Sequence, residues 1–490
     1  MLILTILGDA PFGVNVKVSN WDISTGKDQT EVTMAKSSNW VVSSWINQDV
    51  SGYYTVNQLA VSSDNGYTWT QVGYFAPSDP SSCWVGDPSL AADPSDPDKF
   101  YWVGMVWCQV GSQTKGEVYF CSNTGSPNNI SNWSCSILPP NDSWAHFKDK
   151  PWILARDNGG TTELLVVFTA DGYGSTSLST YEMISVKSTD GGATWQTPVR
   201  VDPGYASTVA FTYYDAANNL VHMADNCLYC YSSYDVVIEY TKSPDFGGTW
   251  NYVTGVLGTV PTGGDATCPN FNRPVKIAGT IAGVGNKVAM AATVDASGTG
   301  GNPCSIQIAF STDGGSTWSG VADTTAQYIL PFVTTDGSNS IYVMAQSRTG
   351  SSAPWTTVMY SSSDWGSTWG GVRVSDHDYT MNENPAGHDY NTILYHSGDL
   401  FAIWGDDYYN EDAGAIYFAT TAVATGYAEL PTFKEKKVKV YKGAVDLPAG
   451  SDVYTSSGRL LLRSAEGKVS LSPGVYFVRN GSRVWKVVVR

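Results

Sequence analysis

Short runs of alternating apolar and polar residues recur along most of the chain. Asn57-Gln58-Leu59-Ala60-Val61 and Ile306-Gln307-Ile308-Ala309-Phe310 are examples. A period of two predicts strands buried on one or both faces. The runs come in sets. Trp40–Trp45, Tyr101–Trp107, Leu164–Thr169, Leu220–Ala224, Lys287–Thr293, Ile341–Ala345 and Leu400–Trp404 each precede a further strand, and so number seven. The strands that follow them also number seven once Val118–Cys121 and Ala415–Ala419 are included. An earlier run opens most units, such as Pro88–Ala92 or Trp152–Ala155. With one more strand after each turn, every unit is a four-stranded sheet. Seven such sheets around an axis make a β-propeller, or six if one unit is misassigned. The Val14–Val18 run is placed to complete the last blade.

The turn after the third strand carries a repeated motif, S-x-D-x-G-x-T-W. It occurs at 62–69, 188–195, 243–250, 311–318 and 362–369. Repetition at this spacing indicates a repeat architecture. The first interval is about twice the others, and a degenerate copy lies inside it: Cys121-Ser122-Asn123-Thr124-Gly125, with Trp133 delayed by an insertion. The Asp can accept backbone amides across a tight turn, the Gly can take a backbone angle other residues resist, and the Trp can bury its ring between neighbouring sheets. This reading makes Asp64, Asp190, Asp245, Asp313 and Asp364 structural; metal binding is the alternative.

With these residues in view, the motif resembles the Asp-box, or BNR, repeat of sialidase-type propellers. The resemblance spans about residues 30–425. It implies the fold and says little about activity, because one scaffold hosts unrelated functions. The expected architecture is therefore all-β: a seven-bladed β-propeller over 13–427, a linker at 428–432, and a small β-sandwich at 433–490. Residues 1–12 read as the remnant of a signal segment.

Charge refines this picture. The net charge is −17. From Phe433 onward the balance is +8, leaving −25 for the rest. So acidic a surface argues against nucleic acid as a partner. No apolar run is long enough to span a membrane as a helix.

The eight cysteines pair by position. Cys83 precedes a first strand and Cys108 follows the next; Cys268 and Cys304 hold the same places three units on. Cys121 and Cys135 flank one hairpin, and Cys227 and Cys230 share a loop. Four local disulfides, Cys83–Cys108, Cys121–Cys135, Cys227–Cys230 and Cys268–Cys304, would satisfy every cysteine and indicate an oxidising compartment. Zinc at the Cys-x-x-Cys pair is the alternative, though it lacks a second pair nearby.

The C-terminal segment resembles the sorting domain of the type IX secretion system of Bacteroidetes-like bacteria. The matching residues are Val453-Tyr454 with Gly458-Arg459, Leu471 with Pro473-Gly474-Val475-Tyr476, and the closing Lys486-Val487-Val488-Val489-Arg490. The resemblance implies that machinery as a partner, export across the outer membrane, and then cleavage or surface attachment. An ordinary carbohydrate-binding or Ig-like module is the alternative.

Chemistry is expected on the face opposite the clasps, where residues just before each first strand approach the axis. The candidates are Asp87, His146, Asp149, Lys150, Tyr205, Asn272, Arg273, His388, Asp389 and Tyr390. Such a mixture suits a glycan or an ion. Each has a plainer reading: Asp149 and Lys150 pair with each other, Asp87 caps a turn before Pro88, and His388 and Asp389 bond loop backbone. Trp84, Trp144, Tyr408 and Tyr409 are placed to stack on sugars or to pack between blades. The loop Gly405–Asp412 is rich in oxygen ligands, with Asp406, Asp407 and Asp412 as candidates for Ca2+. A solvated acidic loop is its plainer reading.

Sialidase chemistry can be tested against the residues. The resemblance implies three Arg on the substrate carboxylate, the first of them in the first blade, and a Tyr nucleophile. No Arg precedes Arg156, and the propeller region holds only Arg156, Arg200, Arg273, Arg348 and Arg373. Arg273 is placed like a triad member and Arg348 is within reach of the same face, whereas Arg200 and Arg373 follow clasps. Seven blades also depart from the six of sialidases. Three classes stay open: a glycan-binding surface protein, a glycoside hydrolase using axial carboxylates, and a scaffold for protein partners.

Overall fold

The computed structural model describes residues 6–9, 12–19, 29–48, 50–139, 147–171, 181–201, 206–228, 235–261, 280–294, 304–350, 352–379, 390–406, 414–422, 439–441, 444–455, 460–471, 474–480 and 483–489. Seven sheets form the propeller, with strands in chain order from the axis outward except where N-terminal strands complete blades 6 and 7. Blade 1 is Gln29–Lys36, Val41–Asn47, Val56–Ser62 and Thr70–Phe75; blade 2 opens with Cys83–Ala92 and blade 3 with Lys148–Asp157. Blades 4 to 7 open with Ala206–Asp215, Thr280–Val284, Gln327–Thr335 and Thr392–His396. Each of these seven first strands touches the first strand of the next blade, so they form a closed inner ring.

The ends of the ring are tied by the N-terminal segment. Val16 and Lys17 pair antiparallel with Phe418 and Tyr417, supplying the outermost strand of blade 7. Gly13 N donates to Thr420 O (2.9 Å) and Val18 N to Ile416 O (2.8 Å). Phe12 is buried in the same core. Upstream, Ile6–Asp9 runs parallel to Gly370–Arg373 as a fifth strand on blade 6.

The clasps repeat one geometry five times. The Ser hydroxyl donates to Asp Oδ1 at 2.8–2.9 Å. The Gly amide donates to the Ser hydroxyl at 2.7–2.9 Å. The Thr amide donates to Asp Oδ1 at 2.7–2.8 Å. The Thr hydroxyl takes Asp Oδ2. The Ser, Asp and Thr side chains of the motif thus bond within the turn, as a structural role requires. The hydroxyl of Thr317, and then its amide, hold Asp313 down to about 2.

The clasp Trp faces the preceding blade. Trp69 meets Phe418 edge-on at 5.2 Å, Trp195 meets Phe120 at 5.1 Å and Trp318 meets Tyr240 at 5.8 Å. The clasp Gly explains the close approach. At Gly66, φ is +90°, and a Cβ would stand 2.0 Å from Phe418. In the degenerate copy Asn123 replaces the Asp and accepts Phe100 N at 2.6 Å, and Ile130–Asn132 form a 3-10 turn before Trp133.

The clasps share a face with the hairpins between first and second strands, because Gly191 N donates to Thr162 O and Gly314 N to Asn286 O. Cys83–Cys108 lies on the opposite face, with a Cα separation of 4.1 Å, and Cys121–Cys135 bridges paired strands. Cys304 is disulfide-bonded, but Cys268 lies outside the described residues, as does Cys230. After the propeller, the described strands form one five-stranded sheet, in the order Lys439–Tyr441, Arg483–Val489, Gly474–Asn480, Ala444–Thr455, Leu460–Ser470. No described helix is long and apolar enough to cross a membrane.

Candidate functional site

The inner strands share a second, less visible repeat. In blades 1, 2, 3, 4 and 6 the pairing of first and second strands slips by one residue, at Thr30/Thr33, Gly86/Ser89, Asp149/Trp152, Ser207/Ala210 and Ile329/Phe332. These are β-bulges, which re-aim a side chain. The bulged residues Glu31, Asp87, Lys150 and Leu330 have φ of 53°, 49°, 50° and 51°. Non-glycine residues held in this region cost of order 1–3 kcal/mol each and concentrate at functional sites. The bulges lie in the first half of each strand, away from the clasps.

Three of these side chains meet. Lys150 Nζ donates to Glu31 Oε1 at 2.8 Å and also to Asp87 Oδ1. Glu31 and Asp87 are 2% and 1% exposed, and the Lys150 side chain 14%. Successive blades thus contribute two carboxylates and one ammonium, so the trio carries one excess negative charge. Burial of such a group is tolerated because the charges compensate and bond one another.

Beneath the trio the axis is filled. Trp152, Phe211, Phe332 and Tyr390, from blades 3, 4, 6 and 7, pack with ring centroids 4.8–5.9 Å apart. Tyr390 reaches across the axis, its hydroxyl donating to Pro88 O at 2.7 Å, and Lys150 Nζ lies 6.0 Å from its ring. Hydroxyls tie the ring together: Thr280 donates to Pro331 O and Thr392 to Val32 O, both the residue after a bulge. Around the trio, buried atoms of Gln29, Thr30, Asp87 (Oδ2) and Asn391 (Nδ2) have no hydrogen-bond partner among the described residues. Buried polar atoms are normally satisfied, so these invite a ligand or water.

Of the sequence candidates, the structure brings together Asp87, Lys150 and Tyr390. Asp149 Oδ1 accepts the Lys150 amide at 2.8 Å, and the Lys150 ammonium pairs with Glu31 and Asp87 in place of the pairing expected with Asp149. Asp87 does not cap a turn; it sits inside a strand at a bulge. His146, Tyr205, Asn272, Arg273, His388 and Asp389 lie outside the described residues, as do Trp144, Asp407, Tyr408, Tyr409 and Asp412. Asp406 ends a strand of blade 7. No cluster of three metal-ligating side chains occurs among the described residues. Sequence reasoning missed Glu31. Asp87 and Lys150 are each followed by Pro, a visible mark, whereas Glu31 is followed by Val32.

Three of the propeller's described Arg residues form ion pairs with other carboxylates. Arg156 pairs with Glu163, Arg200 with Glu182 (2.7 Å) and Arg373 with Asp378 (2.8 Å). Arg348 donates to Gln327 at 2.7 Å and lies over Trp355.

No protein-family model matches the chain, and no curated protein matches it. The fold and site define a seven-bladed, all-β propeller with a charged axial cluster. Solved structures similar to it include a Trypanosoma rangeli sialidase mutant displaying trans-sialidase activity (12% identity, TM-score 0.43, 84% of this chain and 57% of that one). Others are the Hadza microbial sialidase Hz136 (13%, 0.41, 80% and 65%) and Penicillium chrysogenum alpha-L-arabinanase complexed with arabinobiose (11%, 0.45, 84% and 98%). The chain thus spans little more than half the length of the first of these. At such identities, function rests on the chain's own residues.

Proposed function

We propose that the chain is an exported, glycan-recognising propeller of Asp-box type whose binding site is the axial cluster on the face opposite the clasps. One observation carries this reading: Glu31, Asp87 and Lys150, from three successive blades, converge at strained bulges above an aromatic plug. Carboxylates accept sugar hydroxyls, and an ammonium donates to them. The test is affinity electrophoresis in gels containing neutral polysaccharides (arabinan, xylan, mannan, mixed-linkage glucan). Asp87→Asn and Glu31→Gln, which keep shape and remove charge, should each weaken retention at least tenfold while the protein stays folded. Unchanged retention in both would remove the site from this cluster.

A hydrolase reading has one specific support. Two carboxylates from adjacent blades, Glu31 and Asp87, share one Nζ and so lie close together, as the paired carboxyl groups of a glycosidase do. Release of reducing ends, lost in both variants, would favour it. Sialic acid release is not expected, because no Arg precedes Arg156 and Arg156, Arg200 and Arg373 pair with other carboxylates. Residues 433–490 are read as the type IX sorting domain, which makes the cell surface or medium the destination. Their deletion in a type IX-secreting host should leave the propeller in the periplasm.

A further inference from the structure

The largest departure from a soluble surface lies beside the trio. Among the described residues only Tyr54 and Val110 are exposed large hydrophobics, at 67% and 47%. Both flank the outer ends of the first two strands of blade 2, where two further aromatics stand half-buried. Tyr54 packs against Trp84 with centroids 5.9 Å apart, and Trp84 against Trp107 at 6.3 Å. Trp84 and Trp107 face each other across the strand pair.

This row of rings is held rigid. Cys83–Cys108 cross-links the residues next to Trp84 and Trp107. Thr55, next to Tyr54, donates its hydroxyl to Val85 O (2.6 Å) and accepts the Val85 amide (3.1 Å). The inner end of the row lies against the backbone next to Asp87. A Cβ on Gly86 would stand 2.5 Å from the Trp107 ring, so the indole lies on the backbone of the residue preceding Asp87. Exposed aromatic surface held in place by a cross-link is costly unless something covers it, and a pre-ordered surface binds without an ordering penalty.

We propose that Tyr54, Trp84 and Trp107 form a stacking platform for successive residues of an uncharged polysaccharide chain that runs from blade 1 to the axial cluster. The inference deepens the glycan-binding reading and rests on it. Three rings in successive contact fit an extended chain better than a single sugar or a protein anchor, because each sugar offers an apolar face to one ring and hydroxyls to solvent. An uncharged chain fits because the protein carries −17 and the trio is itself acidic.

The test uses the full chain and titrates it with neutral oligosaccharides of one to six residues prepared from whichever gel polysaccharide retains it best. Affinity should rise at least tenfold from the monosaccharide to the tetrasaccharide, with a change in tryptophan fluorescence. Tyr54→Ala and Trp84→Ala should abolish that gain and leave monosaccharide affinity unchanged, and Trp84→Phe should restore part of it. Tyr54 is exposed, so its variant reads binding and not folding. Affinity independent of length, or a gain that survives both alanine variants, overturns the platform while Asp87→Asn still weakens binding at the axis. No retention by any polysaccharide overturns both the platform and the glycan reading.

Discussion

The clasps and the bulges are two repeats built on opposite principles. In the clasps the same residues recur and make the same bonds: Ser, Asp, Gly and Thr satisfy one another in five turns, and nothing is left over for a ligand. At the bulges the same backbone recurs with different residues: Glu31, Asp87, Lys150 and Leu330 share one φ while differing in charge and size. Where residues repeat, the chain is specifying architecture. Where backbone repeats and side chains vary, it can assemble chemistry that a sevenfold symmetric ring would otherwise lack. Among the described bulges, those of adjacent blades 1, 2 and 3 carry the charges, so the repeat is broken there by side-chain type.

The sharpest way to break this comparison is Lys150→Met. It removes the ammonium that two buried carboxylates share and should cost about 3–5 kcal/mol in urea unfolding. Adding Glu31→Gln and Asp87→Asn should recover most of that loss while glycan retention stays absent. If the triple variant binds as the native protein does, the trio is scaffolding like the clasps.

The next effect probes the clasp half of blade 4. His222 is 0% exposed, shares a hydrogen bond with Tyr240 at 2.8 Å, and burial lowers it to about 4. The unfolded chain takes up this proton near pH 6.5, the folded chain only near pH 4. The contribution is therefore fully present above about pH 6.5, and about 3 kcal/mol is lost as pH falls to 4. Urea midpoints measured from pH 7 to 4 should fall less steeply for His222→Gln than for the native protein; equal slopes would reject the assignment.

Trp318→Ala removes a half-buried indole from Tyr240. Full aromatic truncations cost about 3–5 kcal/mol, so about 2 kcal/mol is expected here, with polysaccharide retention unchanged. A variant that kept its stability and lost retention would merge the two faces. The smallest effect is spectroscopic. The Asp313 carboxyl should titrate near pH 2 by NMR and move toward the ordinary range in Thr317→Val, since the Thr317 hydroxyl is the principal cause of its depression.

Much of this was legible beforehand. Alternation of period two located the second and third strands of all seven blades, and the clasp motif located their turns. Matched cysteine positions gave Cys83–Cys108 and Cys121–Cys135. Val14–Val18 was recognisable as the closing strand because a propeller needs one. Asp87, Lys150 and Tyr390 were candidates from a position expected before first strands, and the structure sets Asp87 and Lys150 inside those strands. Glu31 was not, because nothing in Gln29-Thr30-Glu31-Val32-Thr33 marks the slip in pairing that turns it toward the axis.

Local rules explain that boundary. A tight turn is closed by residues within eight positions of one another, so its hydrogen bonds are written in consecutive letters, and the sequence by itself determined the blades, their clasps and their number. A bulge is a property of two paired strands, and the meeting of Glu31, Asp87 and Lys150 depends on three strands from different blades, separated by more than 50 residues at each step. Only the closed ring brings them within hydrogen-bond reach, because closure sets how far each inner strand stands from the axis. The same holds for Tyr54, Trp84 and Trp107: their types are visible in the chain, but their packing against one another was decided by tertiary structure.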